Sequence, residues 1–159
     1  MRKRLLAALS VTFLLLGACR TAPEPSDQRR WAKAWVDAFN SHRLQNFDLL
    51  LLPSATFEDP VSNGPRSGVS LAYHLTLRWT KCPTEHYDID RVFRDGDLVG
   101  IEWKATGLGD GTKEDPLRGV FLLTLQGDAI AGVRAYYDAS SVREMLTAPS
   151  IPAGEDQPR

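Results

Sequence analysis

The chain is poor in the residue types that announce chemistry. In 159 residues it holds two cysteines, Cys19 and Cys82, and three histidines, His42, His74 and His86. Two cysteines are too few for a disulfide scaffold or a thiolate metal cluster. The histidines are scattered; no pair has helical ligand spacing and no nearby acid completes a metal triad. No metal and no cofactor is therefore expected, and each histidine reads as a surface or capping group. Positive charge is not in excess. Lys+Arg number 19 against 20 Asp+Glu, for a net charge of −1, which argues against a nucleic-acid partner. Nucleophile and phosphate motifs are missing too. Ser140-Ser141 lacks the glycines of a nucleophile elbow, and Gly107–Gly111 lacks the lysine and the strand–loop–helix setting of a phosphate loop. What is present is ordinary globular material, 43% hydrophobic and 25% charged, of a length that suits one domain with appendages.

The N-terminus is such an appendage. Arg2, Lys3 and Arg4 precede a charge-free run from Leu5 to Ala18. As a helix that run rises ~21 Å at ~1.5 Å per residue, short of the ~30 Å hydrocarbon core of a bilayer. It reads as a secretory signal over residues 1–18. The run closes on Leu16-Gly17-Ala18-Cys19, which resembles the bacterial lipobox. The resemblance implies cleavage before Cys19 and lipidation of Cys19. Loss of residues 1–18 removes three basic groups and no acidic ones, and the net charge falls from −1 to −4. A negative body favours tethering by lipid over attraction to anionic phospholipid. Residue 20 is Arg and not the Asp that signals inner-membrane retention. The expected home is the cell envelope, and the outer membrane facing the periplasm if the organism is Gram-negative.

Residues 19–27 read as a Pro-containing tether, 28–148 as the domain and 149–159 as a disordered tail. Trp31, Trp35 and Phe39 recur every four residues, with Ala32, Val36 and Ala38 beside them and Arg29, Arg30, Lys33 and Asp37 opposite. That stripe predicts an amphipathic helix, with Ser26 or Asp27 as its cap. A short helix is expected over Leu44–Leu51, stopping at Pro53. A strand follows over Ala55–Asp59, then a third helix over Ser70–Thr80 with Leu71, Leu75, Leu77 and Trp79 inward. Strands are expected at 85–93, 98–106, 117–125 and 130–137, joined at 94–97 and 126–128 by hairpin turns. Asp138 then either caps a short helix through Val142, Met145 and Leu146 or serves as a pocket acid. Helices first and antiparallel strands afterwards predict an α+β fold. Strand 117–125 is apolar on both faces, so its outer face calls for a second subunit or the C-terminal helix.

Three words in this order, Trp35-Val36-Asp37-Ala38-Phe39-Asn40, Ala55-Thr56-Phe57-Glu58-Asp59-Pro60 and Ala135-Tyr136-Tyr137-Asp138, resemble the nuclear transport factor 2-like superfamily. The nearest branches are the SnoaL-like polyketide cyclases and the ketosteroid isomerases. The resemblance implies a cone, with N-terminal helices wrapped on a curved, mostly antiparallel sheet around a pocket, and a homodimer through the sheet. It implies that Asp59 is a catalytic proton-transfer base. Alternation puts Phe57 and Asp59 on one face and Glu58 on the other. A carboxylate among aromatic walls is desolvated, which is expected to raise its pKa. Trp35, Phe39, Phe57, Trp103, Phe121 and Tyr137 are the candidate substrate-binding set. The rest of the isomerase machinery does not align. Its oxyanion Tyr falls at Trp35, its protonated Asp at Phe121, and the last-strand Asp of epoxide hydrolases falls at Ala135. Two functions stay open: a non-catalytic module for a small apolar molecule or a protein partner, and an isomerase- or lyase-like enzyme acting through Asp59.

Overall fold

In the computed structural model, residues 25–62, 64–108, 116–140 and 142–143 are described. The signal, Cys19, the tail, residues 109–115 between the second and third of the four later strands, and Met145 and Leu146 lie outside them. Helix α1 (Pro25–Asn40), helix α2 (Leu44–Asp48), strand β1 (Leu51–Glu58), helix α3 (Gly68–Lys81) and strands β2 (His86–Asp95), β3 (Leu98–Thr106), β4 (Leu117–Gln126) and β5 (Ala129–Tyr137) follow in chain order. The strands form one sheet, ordered β1-β5-β4-β3-β2. Every pair is antiparallel except β1 with β5, which is parallel. The α+β fold expected from the sequence is the one observed: helices on one face of a mixed, unclosed sheet.

Helix α1 forms for the reason its stripe gives. Trp31, Ala32, Trp35, Val36, Ala38 and Phe39 are buried, while Arg29, Arg30, Lys33 and Asp37 are exposed. Its first residue is Pro25, so Ser26 and Asp27 lie inside the first turn and not before it. Proline is well suited to that turn, where its missing N–H would have had no helical partner. At its other end, the Asn40 amide clamps β2 at two points. Its Nδ2 donates to the Tyr87 carbonyl at 2.9 Å and its Oδ1 accepts the Tyr87 N–H at 2.8 Å.

The second helix is shorter than the sequence reading. It ends at Asp48, and Leu51 already pairs with Ile130 in the sheet. The apolar run Leu49–Leu52 has no period to separate helix from strand. Pro53 can stop a helix, but a proline is equally at home in an edge strand, and β1 is an edge. The pairing slips between Leu51 and Thr56, then Ala55 and Phe57 turn inward and Thr56 and Glu58 outward, as the alternation predicts.

Strands β3 and β4 build the floor. Val99, Ile101, Trp103 and Ala105 face the helices, as do Phe121, Leu123 and Leu125. Gly119 stands opposite Trp103 and leaves room for its ring. A Cβ there would lie 2.4 Å from Trp103 Cζ2 and 2.5 Å from the Tyr136 carbonyl oxygen. The outer face carries half-buried Val120 and Leu122 and exposed Phe93 and Tyr136.

The close approach at Gly119 is testable. Gly119→Ala should lower stability by about 1–3 kcal/mol, the range for overpacking a well-filled core. Gly132→Ala is the control, because its Cβ would meet nothing nearer than Thr56 Oγ1 at 3.5 Å. Chemical denaturation should show a lower midpoint for the first variant and a near-native one for the second. Equal midpoints would contradict the packing.

Candidate functional site

A buried cation organises the polar interior. Arg78, Glu85, Asp59 and His74 are 2%, 3%, 6% and 6% exposed. Arg78 Nε donates to both Glu85 carboxylate oxygens, at 2.7 and 3.0 Å. Its Nη1 donates to Asp59 Oδ2 at 3.4 Å and to the Tyr137 hydroxyl at 3.2 Å. Its Nη2 donates to the Tyr87 hydroxyl at 2.7 Å and pairs with Glu85 Oε1 at 2.6 Å. The hydroxyls pass the hydrogen bonding on: Tyr87 donates to Glu85, and Tyr137 donates to Asp59 Oδ2 at 2.7 Å. The guanidinium fork is suited to such divided duty, whereas an ammonium is not.

Asp59 ends β1 in a turn. Its Oδ1 accepts the Val61 N–H at 2.7 Å, and its carbonyl accepts the Ser62 N–H at 2.9 Å. The expectation that burial would raise its pKa is overturned. Burial does push it up, but His74, the Tyr137 hydroxyl, the Arg78 guanidinium and the Val61 N–H together hold it below the usual carboxylate value of 3.8. Desolvation works against Arg78 as well, and Tyr87 and Glu85 outweigh it, so the guanidinium stays protonated. Burial, opposed by Arg78, raises both tyrosines, which stay neutral.

His74 corrects the sequence reading, which gave it a surface or capping role. It is buried, its ring 6.2 Å from that of Phe57. Its Nε2 lies 3.8 Å from Asp59 Oδ2, beyond hydrogen-bond distance, and has no hydrogen-bond partner. His42 is half-buried; its Nε2 donates to the Glu85 carbonyl at 3.1 Å and its ring stacks on Trp79. His86 is exposed. Asp138 is exposed and its Oδ1 accepts the Ser140 N–H at 3.0 Å, which is the capping role. Among the described residues no group of three His, Cys, Asp or Glu side chains could hold a metal ion.

The candidate aromatic set is brought together. Trp35 meets Phe39, Phe57 and Phe121 at centroid distances of 5.3–6.3 Å. Trp103 stacks on Phe121 at 5.0 Å and meets Tyr137 at 5.8 Å. The rings thus pack on one another. The indole N–H groups of Trp35 and Trp103 are buried without partners. A cavity of about 370 Å³ opens elsewhere, between α2, β1 and α3, and an open hollow of about 450 Å³ lies beside His42 and Trp79.

Sequence reasoning missed Arg78, Glu85, Tyr87 and His74. The signal was in the stripe of α3. Leu71, Leu75 and Trp79 set its buried face, and His74 and Arg78 fall on that same face at helical spacing, whereas Leu77 is only half-buried. A charged residue in an apolar stripe needs a buried partner.

With that geometry in hand, the chain can be set beside known proteins. Residues 32–140 match the SnoaL-like domain family. No curated relative matches the chain by sequence. A protein with a ketosteroid isomerase-like fold from Catenulispora acidiphila superposes with a TM-score of 0.64 at 22% identity, over 75% of this chain and 93% of that one. A SnoaL-like protein of unknown function from Burkholderia thailandensis gives 0.61 at 15% identity, over 72% and 96%. An NTF2-like protein of unknown function from Cytophaga hutchinsonii gives 0.54 at 20% identity, over 70% and 90%. At these identities the likeness is one of fold.

Two outcomes follow from the network. Arg78→Met would strand two buried carboxylates, and removing one partner of a buried ion pair costs about 3–5 kcal/mol. Denaturant unfolding should show a loss of that size; a loss under about 1 kcal/mol would contradict the network. The second outcome concerns acid. A carboxylate held low in the folded state contributes stability that is complete above its unfolded pKa and fades as pH falls through the lower folded one. Stability should therefore drop below the ordinary carboxylate value of 3.8, and Asp59→Asn should flatten that limb of the stability–pH curve. An unchanged limb would contradict it.

Proposed function

Because the chain belongs to the SnoaL-like domain family, we propose that it is a binding module of the cell envelope, tethered through lipid on Cys19, that takes a small apolar molecule without chemistry at Asp59. One observation carries the reading: the Asp59 carboxylate is already engaged. A general base needs a lone pair aimed at the substrate proton and a pKa near the working pH. Here Oδ1 takes the Val61 N–H and Oδ2 takes Tyr137 and Arg78, and the carboxyl is held low. The place that aligns with the isomerase's protonated Asp is Phe121, which has no donor to offer.

The tether is supported by the Arg2-Lys3-Arg4 start, the apolar run and the Leu16–Cys19 word. A homodimer through the sheet is supported by the outer face, where Val120, Leu122, Phe93 and Tyr136 form an apolar strip among charged neighbours. A second reading, a proton-transfer enzyme acting on a small hydrophobic carbonyl compound with Asp59 as general base, is favoured by one feature. His74 Nε2 and Trp35 Nε1 are buried without hydrogen-bond partners, and an unpaired buried N–H is a donor that a substrate oxygen could meet.

The two readings separate in one experiment. Wild type and Asp59→Asn are titrated with small hydrophobic ketones in deuterated buffer. Tryptophan fluorescence follows binding, and proton NMR follows exchange at the α-carbon. Saturable binding by both proteins, with exchange no faster than in buffer, is the expected result. Exchange by the wild type that is lost in Asp59→Asn would overturn the binding-only reading.

A further inference from the structure

We infer that the ligand seat is the cleft between α2, β1 and α3, and that it selects an apolar molecule bearing an amine; this rests on the binding reading above. The cleft holds about 370 Å³, within the ~300–1,000 Å³ range of small-molecule sites. Leu44 and Phe47 wall it from α2, Leu51 and Ala55 from β1, and Leu71 and Leu75 from α3. The space exists for reasons of size and register. Gly68 and Ala72 face it from the start of α3 with next to no side chain, and β1 slips in register where it passes the cleft.

The polarity of the seat decides its ligand. Asp48 is the one charged side chain among the lining residues, and no Lys, Arg or His is among them to neutralise it. It is exposed at the end of α2 and meets solvent at the edge of an apolar hollow. An anionic ligand would find repulsion there, and a neutral one could offer the carboxylate a hydrogen bond without a charge. A primary amine on an apolar body complements both features. On the segments that line the cleft, Leu49, Val69 and Tyr73 are 83%, 87% and 69% exposed. Each is the chain neighbour of a lining residue: Leu49 of Asp48, Val69 of Gly68 and Tyr73 of Ala72. The seat is separate from the Arg78 network, since none of its lining residues hydrogen-bonds to that network.

The test uses the full-length chain and three probes of one shape: phenylbutylamine, phenylbutanol and phenylbutanoate. Leucine-methyl NMR locates binding and measures affinity. Saturable shifts at Leu51, Leu71 and Leu75 are expected. The amine should bind up to about fivefold more tightly than the alcohol, the scale of an exposed ion pair, and the carboxylate should bind weakest. Asp48→Asn should bring the amine to the alcohol's affinity. Ala72→Phe, at a half-buried position where a larger side chain fills the cleft, should abolish binding with the circular dichroism of the fold retained. Binding with shifts elsewhere, untouched by Ala72→Phe, would overturn the seat and leave the binding reading standing. Equal affinity for the three probes at the cleft would overturn the amine preference. No binding by any probe would overturn the inference and the binding reading together.

Discussion

Among the described residues, the buried carboxylates of this domain are arranged around one buried guanidinium. Arg78 comes from α3, Glu85 from the connection after it, Tyr87 from β2, Tyr137 from the end of β5 and Asp59 from the end of β1. A single cation with a planar fork of donors joins those five segments, and each of its three nitrogens has an acceptor. Such a network adds little net stability compared with apolar packing of the same volume, but it is strongly destabilised when one partner is lost. What it supplies is position. With Asn40 clamping Tyr87 from α1, the network ties α1 and α3 to β1, β2 and β5.

The network also sets the chemistry. Asp59 is the residue that the family word singles out, and in a desolvated aromatic setting it would be a competent base. Burial acts on it as expected. His74, the hydroxyl donor, the cation beside it and the turn amide act the other way and prevail. A carboxylate in this state is a structural anion. The aromatic residues follow the same logic: packed ring to ring, they fill the space above β3 and β4, and the open apolar volume is displaced to the flank, where α2, β1 and α3 meet.

Much of the fold was legible because its signals are local. The stripe from Trp31 to Phe39, the strict alternation of Val99 to Ala105 and the turn glycines each follow from a period of a few residues. The inward direction of Asp59 followed from the same alternation. The boundary near Leu51 was not legible, because a short apolar run fits either element. The network was hidden for another reason: its partners are 19, 59 and 78 residues apart, and spacing on one element says nothing about what faces it. His74 and Arg78 stood on the buried stripe of α3, and a polar residue in such a place points to a buried partner. Without that partner, Asp59 looked like a lone acid with a raised pKa.

The central claim is that the Asp59 carboxylate is a paired anion and not a base in waiting. A carbon-13 NMR titration of its side-chain carboxyl, assigned through Asp59→Asn, tests this most directly. The account requires a midpoint below 3.8, the ordinary carboxylate value. A midpoint displaced upward toward neutrality would contradict it and return the residue to acid–base chemistry.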